Sequence, residues 1–295
     1  MIDVLCVGHA AYDLTMTVDH HPDADDKVQA SSMQSCGGGP AANAAVQVSR
    51  LGGTASFCGY LGHDFYGDAH VAEFSAEGVD LSMLVQGGHP SSISQVLVKP
   101  DGCRSLVNFK GNTPWLAADA VDLSALTPKV ILFDGHEPLV SEKIMDWSVE
   151  NDIPTLLDAG SVHRGTEVLA MSVDYLVASA KFARQFCDTE DMQAALEQLA
   201  SKRNNVVITT GDQGLLWAKD GVIGSLDAFK VDAVDSTGAG DAFHGAFALG
   251  MAHGMDWSEL LRFASAAGAL TCMKLGAREG LPEAIAVEAL LKADL

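Results

Sequence analysis

Short apolar runs alternate along the chain with amphipathic stretches, and that alternation defines the elements. Residues 2–8, 55–60, 130–133, 155–157, 175–177 and 206–209 are largely apolar at consecutive positions, the pattern of strands buried on both faces. Residues 40–50 and 64–77, and segments around 142–150, 181–186 and 192–201, read as helices. Pro40 suits a first helical turn, while Gly52-Gly53 and Gly78 stop the helices before them. Residues 238–251 and 257–273 are two more helices. The alternation predicts an α/β fold, a mainly parallel sheet with helices on both faces. Residues 12–18, 28–34, 93–98 and 104–109 do not follow it. They mix polar with apolar positions, and Asp101-Gly102 between the last two is a hairpin signal. These strands, within 12–34 and 91–110, predict a small antiparallel sheet. It would form a lid on one main domain spanning residues 1–295.

Composition narrows the function classes. The 295 residues, 48% of them hydrophobic, are enough for a substantial core. With 18 Lys and Arg against 39 Asp and Glu, the net charge is −21. Such a surface disfavours nucleic acid and anionic membranes as partners. An anionic substrate must be met locally, and helix N-termini do this without a lysine. No apolar run reaches roughly 18–20 residues, so no membrane span is expected. The start MIDVLCVG lacks the basic segment of a secretory signal and reads as a strand. A cytoplasmic protein is expected. Cys6, Cys36, Cys58, Cys103, Cys187 and Cys272 show no CxxC spacing. Each is expected to be a small buried hydrophobe in a reducing compartment.

The string DSTGAGD from Asp235 to Asp241, followed by AFHGAF, carries the most chemistry. A helix starting near Gly238 leaves the amides of Gly238, Ala239 and Gly240 without partners. Their small side chains let a phosphate approach closely. Asp241, in the first turn, aims a carboxylate at the same place, where it can take a proton from an alcohol. The alternative is a closely packed helix start with an Asp favoured by the dipole. A second string, CGGGPAANAA from Cys36 to Ala45, places glycines before a proline-started helix. Gly38 and Gly39 allow backbone contact with a ligand. Asn43 offers a donor and an acceptor to sugar hydroxyls, unless it is a surface helix residue. Gly37, Gly39 and Ala42 also fit a relaxed dinucleotide fingerprint, so an NAD(P)-binding oxidoreductase stays open. Against it, residues 31–36 are not a buried apolar strand. Asp13 follows the first strand at the end where open sheets bind ligands, and can accept two vicinal hydroxyls. The acidic loop 19–26 and the ten histidines show no metal-ligand spacing. His244, one turn beyond Asp241, reads as a packing residue. Neither GxxxxGK[ST] nor GxSxG occurs, which excludes a P-loop kinase and argues against an α/β-hydrolase.

Together the two strings resemble the PfkB/ribokinase family of sugar and nucleoside kinases, over essentially the whole chain and in the expected order. The resemblance implies a ribokinase-like three-layer α/β/α core with a β-sheet lid, ATP as donor and Mg²⁺. It makes Asp241 the base and Gly238, Ala239 and Gly240 the anion hole. Asp13, Gly38, Gly39 and Asn43 hold the acceptor. ITTGDQG, with Thr209, Gly211 and Gly214, resembles the nucleotide-side turn, and residues 263–271, with Ser265 and Gly268, the adenine wall. In potassium-activated members Asp235 and Thr237, with the tail near Gly276 and Gly280, bind the monovalent cation. Lid strands in many members pair two copies, so a homodimer through the lid is implied. The family often carries an Asn-x-x-Glu motif for the Mg²⁺ waters. The corresponding stretch here is SAKF, from Ser179 to Phe182. Either another carboxylate serves, Asp158 being the candidate, or metal handling is altered. The run from Phe229 to Gly245 and the string RFAS at Arg262 are most similar to sulfofructose kinase and its ketohexokinase-like neighbours. Lys27 and Asn108 fall where that subgroup contacts its substrate. The Arg expected near Gly135-His136 for a sulfonate is absent, with His136 or Arg164 as substitutes. A ketose or related sugar is the expected acceptor, ribose or a nucleoside the alternative. A non-catalytic sugar or nucleotide binder also remains open.

Overall fold

The computed structural model describes residues 2–100 and 102–293. In chain order it contains β1 (Ile2–Val7), β2 (Ala11–Thr17), β3 (Ser32–Gly38), α1 (Pro40–Arg50), β4 (Ala55–Gly62) and α2 (Phe65–Ala76). There follow β5 (Leu84–Gly87), β6 (Ser92–Val98), β7 (Arg104–Phe109), β8 (Pro128–Phe133), α3 (Pro138–Glu150) and β9 (Thr155–Ala159). Next come α4 (Arg164–Ala170), β10 (Tyr175–Ser179), α5 (Ala180–Cys187), α6 (Met192–Ala200) and β11 (Asn205–Thr209). The chain then forms β12 (Leu215–Lys219), β13 (Val222–Leu226), α7 (Ala239–Ala252), α8 (Trp257–Thr271), α9 (Ala277–Gly280) and α10 (Ala284–Ala293).

The main sheet has the order β13-β12-β11-β10-β9-β8-β1-β4-β5. Its strands are parallel except for the β12–β13 hairpin at one edge. The unbroken apolar runs are explained by what covers them. On one face, Val4, Val130, Leu156 and Val177 pack with residues of α1, α7, α8 and α10, among them Val46, Phe247, Leu260 and Val287. On the other, Leu5, Ile131, Leu157 and Leu176 pack with Ile144, Leu169, Phe182 and Leu196 of α3 to α6. This is the expected three-layer α/β/α core. β1 has β8 on one side and β4 on the other. The strand order therefore reverses direction at β1, and beyond the carboxyl ends of strands at such a reversal open α/β sheets form their ligand crevice.

The second sheet has the order β3-β2-β6-β7. It is not purely antiparallel as predicted, because β2 and β6 pair in parallel. Both strands leave the same end of the main sheet, β2 from β1 and β6 from β5, and so rise in the same direction. The predicted strand at 28–34 is displaced to Ser32–Gly38. Gly37 and Gly38, which lie beyond the predicted strand, pair with Tyr12 and Ala11 of β2. A strand at that position lacked an apolar signal because its first residues are exposed on both faces. The hairpin of β6 and β7 forms as expected, although Asp101 of its turn signal lies outside the described residues. The sequence pattern does not predict β5, β12, β13, α4, α9 or α10. Cys103 is exposed and Cys36 and Cys272 are half-buried, so those three are not the buried hydrophobes expected. Among the described residues no helix is long and apolar enough to cross a membrane.

Candidate active site

Two helix starts and the end of the main sheet meet at Asp241. α7 begins at Ala239 after Gly238, whose φ of 80° gives the left-handed cap the turn requires. The first intrahelical bond runs from the Ala242 amide to the Gly238 carbonyl, at 2.8 Å. The amides of Gly240 and Asp241 thus precede any acceptor within the helix. The predicted trio changes at two places: Ala239 N–H donates to Ser236 O at 3.3 Å, so its amide is already used in the turn, and Gly238 is the cap, giving its carbonyl to Ala242, which leaves Gly240 together with Asp241. Nothing lies within 4 Å of where a Gly240 Cβ would stand, so an anion has open access there.

Asn43, in the first turn of α1, is buried rather than on the surface, at 2% exposure. Its Nδ2 donates to Asp241 Oδ2 at 2.7 Å, across 198 residues of sequence. This bond joins the two strings into one site. On its acceptor side, Asp13 faces Cys36 of β3 and Ser94 of β6, and Ser94 in turn faces Asn108 of β7. Directly paired residues share a face of a sheet, so Asn108 projects on the same side as Asp13. Gly38 has no room for a Cβ because the Asp13 carboxyl fills that space, and at Gly39 the His9 carbonyl would be 2.5 Å away. Lys27 is not brought into this arrangement. It sits on an exposed loop, its amide bonded to Asp26.

The sheet end supplies groups that sequence reasoning missed, Asp134, His9 and His163, beside His136, which it had named. Asp134, 2% exposed after β8, accepts from the amides of His9 (2.7 Å), His136 (2.8 Å) and Ala41 (3.1 Å). It ties the loops after β1 and β8 to the start of α1. The rings of His9, His136 and His163 form a row with centroids 5.2 and 4.6 Å apart. Their sequence positions are 9, 136 and 163, with no shared periodicity to reveal them. Burial pushes His9 down to about 4, helped by the neighbouring His136. His244 does more than pack: it is buried with polar contacts at both ring nitrogens. Its Nδ1 lies 2.6 Å from Gly240 O and its Nε2 3.2 Å from Val177 O, while Asp158 Oδ2 is 3.3 Å from Nδ1.

Burial raises the carboxyls in this crevice. Asp241 is pushed up to about 7 by burial and by Asp158, partly offset by the Asn43 bond and His244. Asp158 rises to about 8 through burial and Asp134. Asp13 rises to about 6 through burial, moderated by the Ser94 bond and Arg278. A carboxyl whose folded pKa lies above its unfolded value binds protons more tightly in the native state. It stabilises the fold fully below about pH 4 and loses that contribution as pH rises through the folded pKa. Buried His9 and His70, held below their ordinary value, oppose this up to about pH 6.5, so the thermal midpoint of ligand-free protein is expected to fall between about pH 6.5 and 8, where Asp241 and Asp158 titrate. Asp158→Asn should flatten the upper part of that fall, as read by scanning calorimetry with EDTA.

The nucleotide-side predictions fall on the opposite flank. Thr209 ends β11, and in the turn after it the Thr210 amide and hydroxyl donate to Gly214 O at 2.8 and 2.9 Å. At Gly268 of α8 a Cβ would be 3.0 Å from Ala239 O, so α8 lies against the start of α7. One turn before Ser265, Arg262 stacks over Phe229, 5.4 Å from guanidinium to ring. Both line a cleft of about 410 Å³ with Ser225, Leu226, Asp227 and Ala228. In the predicted cation loop, Asp235 is 3% exposed. It accepts from Thr237 N (3.0 Å), Thr237 Oγ1 (2.7 Å) and Gly276 N (2.9 Å), and Gly280 N donates to Gly276 O. The Arg104 guanidinium of β7 lies 3.7 Å from Asp235. With three donors and a guanidinium already on that carboxylate, these side chains fit an added monovalent cation poorly.

The model of the pfkB family carbohydrate kinases matches residues 1–284. The chain belongs to that family. As a pfkB carbohydrate kinase it is 30% identical to the ribokinase of Bacillus subtilis over 295 residues, covering 99% of this chain and 100% of the relative. A protein of Arabidopsis thaliana named "Probable fructokinase-4" is 28% identical over 289 residues, covering 86% and 87%. The crystal structure of ribokinase from Thermotoga maritima superposes with a TM-score of 0.87 at 26% identity, covering 99% of this chain and all of that one. Relatives named for different sugars thus align over most of this chain.

Proposed function

We propose that the protein transfers the γ-phosphoryl group of ATP to a hydroxyl of a ketose or related sugar, with Asp241 as general base. The observation that carries the proposal is the 2.7 Å bond between Asn43 and Asp241. It places the acceptor-side helix against a carboxylate at the anion-binding start of α7. Asp241 takes the proton of the acceptor hydroxyl as that oxygen bonds to the γ-phosphorus. The bond from phosphorus to the β–γ bridging oxygen breaks, and ADP leaves with its electron pair. Charge on the transferring group is met by the amides of Gly240 and Asp241, positioned before the reaction begins. Asp13, Gly38, Gly39, Asn43 and Asn108 hold the acceptor, and the small sheet excludes water. Ser265, Gly268 and the turn Thr209–Gly214 hold the nucleotide.

Among the described residues no three His, Cys, Asp or Glu side chains gather as a metal site. That agrees with an ion carried by the donor, since Mg²⁺ is commonly held by one or two carboxylates and substrate phosphates. Asp158 is the carboxylate that would meet it, and the ion would supply charge neutralisation at the phosphates. A cytoplasmic location is part of the proposal, because the donor ATP is abundant there. Exposed Met33, Leu106, Val107 and Phe109 on the outer strands of the small sheet support pairing of two copies.

A second reading, a ribose or nucleoside acceptor, rests on the 30% identity to a ribokinase. A coupled ADP-release screen over ketoses, aldoses, nucleosides, sugar phosphates and sulfosugars tests both. Release with a ketose and not with ribose or nucleosides is expected. Preference for ribose selects the second reading, and no release with any acceptor contradicts both.

A further inference from the structure

Arg278 belongs to none of the sequence motifs, yet it is the buried cation of the acceptor side, 4% exposed. α9 carries it, and its carbonyl accepts from Arg50 at 2.8 Å. Its Nε donates to Asn43 Oδ1 at 3.3 Å, and Asn43 Nδ2 donates to Asp241 Oδ2 at 2.7 Å. The chemistry of the two neighbours decides which way the amide points. A guanidinium has donors only and a carboxylate acceptors only. The end of Asn43 facing Arg278 must be oxygen, and the end facing Asp241 must be NH₂. A turned amide would set donor against donor and acceptor against acceptor.

The guanidinium is held by an ion pair, a ring nitrogen and a ring face, with NH1 making no hydrogen bond among the described residues. Its NH1 lies 3.6 Å from Glu73 Oε2, which also accepts from the Gly37 amide at 2.7 Å. Its NH2 lies 3.2 Å from His70 Nε2, so His70 is neutral with its proton on Nδ1. Burial and Arg278 both hold His70 well below its ordinary pKa. Phe74 lies against the same guanidinium, 5.7 Å from its ring centre. A side chain at Gly37 would meet His70 and come within 3.0 Å of Arg278 NH2, so the strand glycine makes room for this arrangement.

We propose that Arg278 is a positioning residue: it fixes the Asn43 amide so that its NH₂ end stays on Asp241. The consequence for turnover rests on Asp241 being the base. The structural claim does not.

The test is a mutant cycle. A charge-assisted hydrogen bond of this kind is worth roughly ten- to a hundredfold in rate. Arg278→Gln is expected to lower kcat by that factor with KM for ATP unchanged, and Arg278→Lys, which keeps a charged donor, by less. In an Asn43→Ala background Arg278→Gln should cost less than about threefold, because its effect passes through the amide. Equal losses in both backgrounds overturn the proposal. The second readout needs no substrate. In ¹⁵N-labelled protein the Asn43 side-chain NH₂ signal, assigned by its absence in Asn43→Ala, should be protected from exchange. Arg278→Gln or Arg278→Lys should reduce that protection. Should Arg278→Gln not fold, the Lys variant carries the cycle and the exchange measurement. Unchanged protection in a folded variant overturns the proposal even where no acceptor has been found.

Discussion

Asp241→Asn is expected to lower turnover by roughly 10²–10⁴-fold, the range that a positioned general base contributes. The substitution keeps the shape of the side chain and an oxygen that can accept from Asn43, so the 2.7 Å link between α1 and α7 can persist. It removes only the ability to take a proton. ATP binding should be retained, because the amides at the start of α7 and the cleft beside Arg262 and Phe229 do not depend on that charge. Coupled ADP release gives the turnover and isothermal titration gives the binding. Near-normal turnover would remove Asp241 from the base position, and joint loss of ATP binding would make its role structural.

Gly238→Ala is the second large effect. The residue has φ 80°, where an L side chain costs about 1–2 kcal/mol. The added Cβ would stand 2.7 Å from the Ala277 Cβ and 2.9 Å from its Cα. The contact is with backbone of α9 and cannot be relieved by rotating a side chain. The first turn of α7 must shift, carrying the amides of Gly240 and Asp241 with it. Displacing one preorganised donor in such a site costs roughly 10²–10³ in kcat. A loss of that size is expected, with a lower thermal midpoint. Gly240→Ala separates the two effects: its Cβ meets nothing within 4 Å, so the fold should be unharmed while phosphate access is reduced. A Gly238→Ala protein with unchanged kcat would show that the α7 amides do not hold the transferring group.

What could be read from the chain follows from how local each signal is. The parallel strands announced themselves because both of their faces are buried, so apolar runs at β1 and β8 needed no partner to be recognised. β3 gave no such signal, its first residues being exposed on both faces, and its glycines look like loop when they are strand. β12 and β13 flank Asp220-Gly221, the same kind of turn signal as Asp101-Gly102 between β6 and β7. At the site, Asp241, Gly240 and Asn43 were legible because a helix start and its small residues are contiguous. Asp134, His9, His163 and Arg278 were not. Arg278 meets Asn43 across 235 residues and His70 across 208, and no local pattern encodes such a meeting. Lys27 shows the converse, a position that resemblance selected and the fold leaves on an exposed loop.

The central claim is that Asp241 accepts a proton in the rate-determining chemistry, and the pH dependence of kcat/KM for the best acceptor tests it most directly. Burial and Asp158 hold this carboxyl up to about 7, and only its ionised form can act as base. The profile should therefore rise tenfold per pH unit below about pH 7 and level off above it, and that acid limb should vanish from the residual activity of Asp241→Asn. A profile flat from pH 5.5 to 8.5, or an acid limb that survives the substitution unchanged, would contradict the account.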